Sequence, residues 1–212
     1  MIPVRQRSIV VVSAGLREPS STRLLADRLA AASERHLRDA GVDVTIASVE
    51  VREHATDLTN NLLTGFPSPK LQAAIATVLG ADGLIAVSPI FNASYSGLFK
   101  VFFDVIERDG LTGMPVLLGA TGGTARHSLA LEYAFRPLFA YLDAAVVSTA
   151  VFAAPEDWAQ GGVGPEASLV ERIERATTDF AAAVAARPAR PPRSAGDAFE
   201  EPVPFEQLLS GK

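Results

Sequence analysis

The stretch SIVVVSAGLREPSSTRLLADRL, Ser8 to Leu29, decides the fold. Ser8 to Val12 is a continuous run, β-branched from Ile9 onward, the pattern of a strand buried on both faces. A polar, turn-rich loop follows from Ser13 to Thr22. Beyond it Leu25, Leu29 and Ala32 recur at spacings of four and three, which predicts a helix over Ser20 to Ala40 with Gly41 as its stop. Buried strand, polar loop and amphipathic helix together make the first half of a βαβ unit.

The same sentence repeats along the chain. Val42, Val44 and Ile46 alternate as a strand toward the sheet edge. A short helix is predicted around Leu58 to Leu63, ended by Gly65 and Pro67, and another over Pro69 to Leu79. Gly83 to Val87 reads as the third strand, and Ser96 to Arg108 as a long helix with Phe99, Phe102 and Ile106 inward. Val116 to Ala120 is the fourth strand, and Arg126 to Leu142 a helix with Leu131, Phe135, Leu138 and Leu142 on one face. Val146 to Phe152 is the fifth strand and Pro165 to Ala186 the last helix. Strands and helices alternating at this pace predict an α/β three-layer sandwich around a parallel sheet. Five strands without a second half favour the flavodoxin-like order 2-1-3-4-5 over a six-stranded dinucleotide fold. Residues 1–186 are read as one domain, and 187–212 as a Pro-rich linker and tail in which Phe199, Phe205, Leu208 and Leu209 restore apolar character.

Composition narrows the function. The chain has 212 residues, 48% hydrophobic, with a net charge of −5 and no basic stripe, so nucleic acid is not its expected partner. Cysteine is absent, which excludes disulfides, thiolate catalysis and cysteine-held metals. The apolar run near the N-terminus is too short for a bilayer and lacks an A-x-A site, so a soluble cytoplasmic protein is expected, with no membrane partner.

Three loops follow the first, third and fourth strands: SAGLREPSST (Ser13 to Thr22), SPIFNASYSG (Ser88 to Gly97) and ATGGTARHS (Ala120 to Ser128). In an open parallel sheet such loops converge beyond the carboxyl ends of the strands. The first suits a phosphate. Ser20, Ser21 and Thr22 open a helix, where N–H groups lack helical acceptors; Arg17 adds a two-pronged cation and Gly15 permits close approach. The plainer reading makes Ser20 or Ser21 an N-cap and Arg17 a surface residue. The second loop, Ser88, Pro89, Ile90, Phe91, Asn92 and Ser94, mixes flat apolar groups with polar ones, as a planar heteroaromatic ring requires. Taken singly, Phe91 or Tyr95 reads as a core aromatic and Asn92 as a turn residue. In the third loop Thr121, Gly122, Gly123 and Thr124 are nearly bare backbone whose N–H groups can meet a ring carbonyl. Arg126 and His127, next along, read as surface residues. No G-x-x-x-x-G-K-[ST] motif is present, no G-x-G-x-x-G follows the first strand, and the acidic residues of a receiver domain are missing.

These loops carry a resemblance. The chain resembles the flavodoxin-like NAD(P)H-dependent FMN reductases, whose first loop reads G-S-x-R-x-x-S-x-N. Here Ala14 and Gly15 stand at G-S, Arg17 and Ser20 match, and Thr22 replaces Asn. Their second loop, T-P-E-Y-N-G-S-x-P-G followed by L-K, is matched by Ser88 to Gly97 and then Leu98-Phe99-Lys100. Their G-x-S-G-G is matched by Gly119 to Gly123 with Thr121 for Ser. The likeness spans roughly residues 8–185 and is most specific in the second loop. Ile90-Phe91 for Glu-Tyr, and Gly15 for Ser, remove polar handles, which suits an enzyme that releases its flavin.

What the resemblance implies is an NAD(P)H-dependent FMN reductase that passes hydride from NADPH or NADH to FMN, with no side-chain acid or base in that step. Arg17, Ser20 and Thr22 would hold the phosphate; Pro89 to Asn92, Ser94 and Thr121 to Thr124 would hold the ring and ribityl chain. The branch supplying reduced flavin to luciferase-like monooxygenases is the nearest match. The resemblance further implies a homodimer or homotetramer in which Leu58 to Phe66 covers a neighbour's flavin. Two other readings share the fold: a quinone or azo reductase with tightly bound FMN, and a flavodoxin-type electron carrier, which a net charge of only −5 disfavours.

Overall fold

The computed structural model describes residues 5–158 and 168–188. The β-branched run forms β1, Arg5–Ser13. Val10 and Val12 enter one apolar cluster and Ile9 and Val11 the other, so both faces of the strand are covered. Helix α1 (Ser21–Asp39) begins at Ser20, whose side chain accepts the Arg23 N–H. Strand β2 (Val42–Glu50) runs parallel to β1 at the sheet edge, with Asp43 and Thr45 exposed. A 3-10 turn, Val51–His54, leads into α2 (Ala55–Thr64), which stops at Gly65 with a left-handed φ of 78°. Helix α3 (Pro69–Gly80) has Ser68 as N-cap and Pro in its first turn. Then come β3 (Gly83–Phe91), a two-residue β4 (Ser94–Tyr95) and α4 (Gly97–Asp104). Strand β5 (Pro115–Thr121) precedes α5 (Arg136–Tyr141), β6 (Ala145–Val146), β7 (Val151–Ala153) and α6 (Leu169–Ala186).

The sheet order is β2-β1-β3-β5-β6, with β7 also on β5. Counted by position across the sheet, this is the expected flavodoxin-like 2-1-3-4-5, the last position being shared by β6 and β7. Leu25 and Leu29 of α1 and Phe180 of α6 cover one face. The other carries α2 to α5 through Leu58, Leu71, Phe99 and Phe139. Tyr95, Phe99, Phe102, Phe103, Phe135 and Phe139 form a chain of tilted and edge-on ring contacts there, with centroids 4.8–6.2 Å apart.

Four expectations are corrected. The fifth strand is not continuous: Arg136 donates to the Val147 and Ser148 carbonyls, turning them away from the ladder between β6 and β7. The helix expected over Arg126 to Leu142 is a 3-10 turn at Ala125–His127, a π turn at Leu131–Phe135 and then α5. Pro137 has no N–H to give, which breaks the regular ladder there. The helix expected from Ser96 to Arg108 ends at Asp104, and the chain turns again with the Gly110 N–H on the Glu107 carbonyl. The second loop is a hairpin: β4 turns back on β3, pairing Ile90 with Tyr95 and Phe91 with Ser94. Its two linking residues, Asn92 and Ala93, have φ of 48° and 68°, the left-handed pair of a type I′ turn. Pro165, the expected start of the last helix, and the tail with Phe199, Phe205, Leu208 and Leu209 lie outside the described residues.

Candidate functional site

The three loops leave the carboxyl ends of β1, β3 and β5, which are adjacent in the sheet. Two contacts fasten them. The Ala14 N–H donates to the Val87 carbonyl at 3.0 Å, joining the first loop to β3. The Thr22 and Thr121 hydroxyls share a buried 2.8 Å hydrogen bond, joining the first helix to the end of β5. Residues about a hundred positions apart in sequence thus meet under one surface.

At the first loop the N-cap role of Ser20 is real, and it leaves room for another. The Ser21 and Thr22 N–H groups, at the start of α1, have no helical acceptor. Ser21 is exposed, and Arg17 is exposed and has no hydrogen-bond or ion-pair partner among the described residues. Gly15 is needed by the chain itself: a Cβ there would lie 2.2 Å from Ser20 Oγ. A cleft of 390 Å³ opens beside this loop, lined in part by Gly15, Arg17, Ser20 and Arg23. Unpaired N–H groups at a helix start, hydroxyls and one unneutralised guanidinium fit a phosphate. Thr22 faces inward, its hydroxyl already paired with Thr121, so its backbone N–H is what faces the helix start.

At the second loop the predicted residues divide. Ser88 is fully buried; its hydroxyl accepts the Ser96 N–H at 2.9 Å and holds the hairpin from within. Ile90 is 9% exposed and its side chain packs in the core. Tyr95 is half-buried and packs against the core, its ring tilted to Phe99 and edge-on to Phe135. Phe91 is 47% exposed, Asn92 is exposed at the turn, and Pro89 and Ser94 are half-buried. The hairpin therefore offers Pro89, Phe91, Asn92 and Ser94 to a ligand.

At the third loop Gly122 is committed. Its N–H donates to the Ala153 carbonyl at 3.1 Å, and a Cβ on it would strike the Phe152 ring at 2.8 Å. Gly123 is exposed, with nothing within 4 Å of where a Cβ would stand. Thr124 caps the following turn, its hydroxyl accepting the Arg126 N–H at 3.4 Å. Arg126 and His127 are exposed.

Sequence reading missed the groups that hold the first loop from the side. Glu50, the last residue of β2, pairs with Arg23, and Arg52 in the next turn pairs with Glu18. Partners 27 and 34 positions apart carry no local signal. It also missed His54, which is 7% exposed at the end of the 3-10 turn. Burial, followed by the nearby Lys70 cation, pushes its pKa below the ordinary 6.5.

An open parallel sheet with a phosphate-competent helix start, an exposed aromatic hairpin and a bare glycine turn along one edge defines a flavodoxin-like mononucleotide-binding protein. Comparison with known proteins narrows this. Residues 7–159 match the family model of NADPH-dependent FMN reductases. SfnF, an NADH-dependent FMN reductase of Pseudomonas putida, is 36% identical over 79% of this chain and 87% of its own length. An NADPH-type FMN reductase of Pseudomonas aeruginosa is 36% identical over 71% of this chain and 78% of its own. Among solved structures, an oxidoreductase of Corynebacterium diphtheriae superposes with a TM-score of 0.81 at 41% identity, covering 87% of this chain and all of that one. The chain belongs to the NADPH-dependent FMN reductase family, and its cofactor chemistry is that of FMN with a nicotinamide nucleotide as donor. Among the described residues no helix is long and apolar enough to cross a membrane.

Proposed function

We propose that the phosphate of FMN docks on the start of α1 and that its ring lies between the β3–β4 hairpin and the β5 loop. The observation that carries this is the juxtaposition of the three loops, fastened by the Thr22–Thr121 hydrogen bond. Ser20, Ser21, Thr22 and Arg17 hold the phosphate, Ser20 and Ser21 through N–H groups and hydroxyls and Thr22 through its backbone N–H alone, its hydroxyl being paired with Thr121. Pro89, Phe91, Asn92 and Ser94 bound one edge of the ring. Gly123 and Thr124 offer N–H groups to its carbonyl end, where reduction leaves negative charge. When bound, FMN supplies the redox chemistry, accepting hydride from the nicotinamide. The side chains of this chain orient and desolvate the ring; none is required as acid or base.

The test compares FMN with riboflavin, which lacks the phosphate. Arg17→Met raises the KM for FMN about tenfold, the equivalent of ~1.4 kcal/mol. It leaves the KM for riboflavin and kcat within twofold. An equal loss for both flavins sinks the phosphate assignment.

The finer reading has three further parts. The enzyme releases reduced FMN to a monooxygenase, supported by the exposed Phe91, which offers the ring no polar handle, and tested by coupling it to a flavin-dependent monooxygenase with free FMN as carrier. It works in the cytoplasm as a homodimer or homotetramer. Leu62, Leu63 and Phe66, at 52%, 81% and 75% exposure, form an apolar edge at the C-terminal end of α2 that a second copy would cover. Light scattering on the purified protein tests that assembly: a monomer at micromolar concentration removes it. The third part sets residues 187–212 apart from the flavin-binding domain, so removing them leaves FMN reduction intact.

A further inference from the structure

Two ion pairs grip the first loop from the end of β2. Glu50 lies beside Ser13 in the β1–β2 register, next to where the loop leaves the sheet. Its side chain, 15% exposed, pairs with Arg23 in the first turn of α1. Two residues on, Arg52 pairs with Glu18. Glu18 and Arg23 bracket the stretch from Pro19 to Thr22, so one short segment of β2 and its turn fastens both sides of the helix start. The Arg52–Glu18 pair is exposed at 30% and 75%, and such a pair adds little to global stability. Its effect is local.

The pairs also sort the charges. Three arginines and three carboxylates line the cleft: Arg17, Arg23, Arg52, Glu18, Asp27 and Glu50. Arg23 is taken by Asp27 and Glu50, and Arg52 by Glu18. Arg17, next to Glu18 in the chain, is the cation left over. We infer that Glu50 and Arg52 are positioning residues for phosphate capture: they hold the helix-start N–H groups in place and keep Glu18 turned away from Arg17. The inference rests on the reading that the FMN phosphate docks on this loop. Preorganised donors bind more tightly than donors that must be ordered on binding.

The sign of the effect separates positioning from simple charge. If the charges acted only through their field, Glu18→Arg would tighten FMN binding and Arg52→Glu would weaken it. If they position, each single change breaks the grip and both raise the KM for FMN. The experiment measures KM and kcat for FMN and for riboflavin in Glu18→Arg, Arg52→Glu and the double swap, with thermal midpoints alongside. The expected result is a KM for FMN raised about fivefold in each single variant. The double swap returns within twofold of the starting protein. Riboflavin KM, kcat and the midpoints stay nearly constant throughout. Opposite signs in the single variants, equal loss with riboflavin, no change in either single variant, or no recovery in the double overturns the inference. Arg17→Met, run in parallel, tells the two failures apart. If it leaves FMN and riboflavin equally affected, the phosphate reading itself fails and the inference falls with it. If it discriminates against FMN while the swaps do nothing, only the positioning role is lost.

Discussion

Replacing Ala93 by Gly is expected to stabilise the protein. Ala93 is the second of two linking residues in the β3–β4 hairpin, and its φ is 68°. For an L-residue with a Cβ, the left-handed region costs ~1–2 kcal/mol, because the Cβ crowds the following carbonyl oxygen. Glycine carries no such cost. It adds ~0.4–1 kcal/mol of chain entropy to the unfolded state, which opposes the gain. Ala93 is exposed, so its methyl contributes little burial. The balance is a stabilisation of ~0.5–1 kcal/mol. In a chain of this size that corresponds to a rise in thermal midpoint of ~1–4 °C. Ala93→Val serves as the counter-test, since a β-branched residue is worse than Ala at positive φ and should lower stability by ~1 kcal/mol or more. The assay is urea unfolding of the flavin-free protein, followed by far-UV circular dichroism with a constant m-value. A destabilised Gly variant, or a Val variant as stable as the starting protein, would refute the reasoning. The site offers a check of its own: a Gly that keeps the turn leaves the KM for FMN within twofold, because Phe91 and Ser94 stay paired across the hairpin.

Other outcomes follow from single contacts. Thr121→Val leaves the buried Thr22 hydroxyl without its 2.8 Å partner and should cost ~1–3 kcal/mol, whereas the Thr22→Val/Thr121→Val double variant should recover most of that in the same urea assay. Gly15→Ala drives a Cβ to 2.2 Å from Ser20 Oγ and dislodges the N-cap, lowering stability by ~0.5–2 kcal/mol and raising the KM for FMN more than that for riboflavin. His54 titrates in the folded protein below its ordinary 6.5, so below pH 6.5 the unfolded chain binds the proton first and stability falls as pH falls. His54→Gln should flatten the urea midpoint between pH 6.5 and the folded-state pKa; an unchanged acid-side slope would remove His54 as its source.

How legible was this protein in its residues? The apolar runs at Val10 to Val12 and Leu84 to Val87, and the leucine spacing of α1, are local patterns that survive because burial, on both faces of the strands and one face of the helix, selects them directly. The helix start at Ser20 was legible for the same reason, as capping is a contact between near neighbours. Elements shaped by distant partners were not. Arg136 interrupts the fifth strand from another element. The hairpin at Asn92-Ala93 hides within a segment that reads as a loop, since Ala93 gives no glycine signal for its left-handed backbone. Ser88 and Ile90 read as loop residues but extend β3, and they and Gly122 are turned inward by strand geometry and by the elements packed around them.

By itself, then, the sequence determined the parallel α/β architecture, the order of the strands, the three loops and the family. These depend on hydrophobic period, turn residues and motif spacing, all encoded over short stretches. The tertiary structure alone decided which loop atoms remain free to meet a ligand. It spent the Thr22 and Ser88 hydroxyls and the Gly122 N–H on internal bonds, left Arg17, Phe91 and Gly123 exposed, and brought Glu50 and Arg52 against the first loop. Whether a donor is spent or free depends on what folds against it, and that partner lies eight residues away for Ser88 and 99 for Thr22.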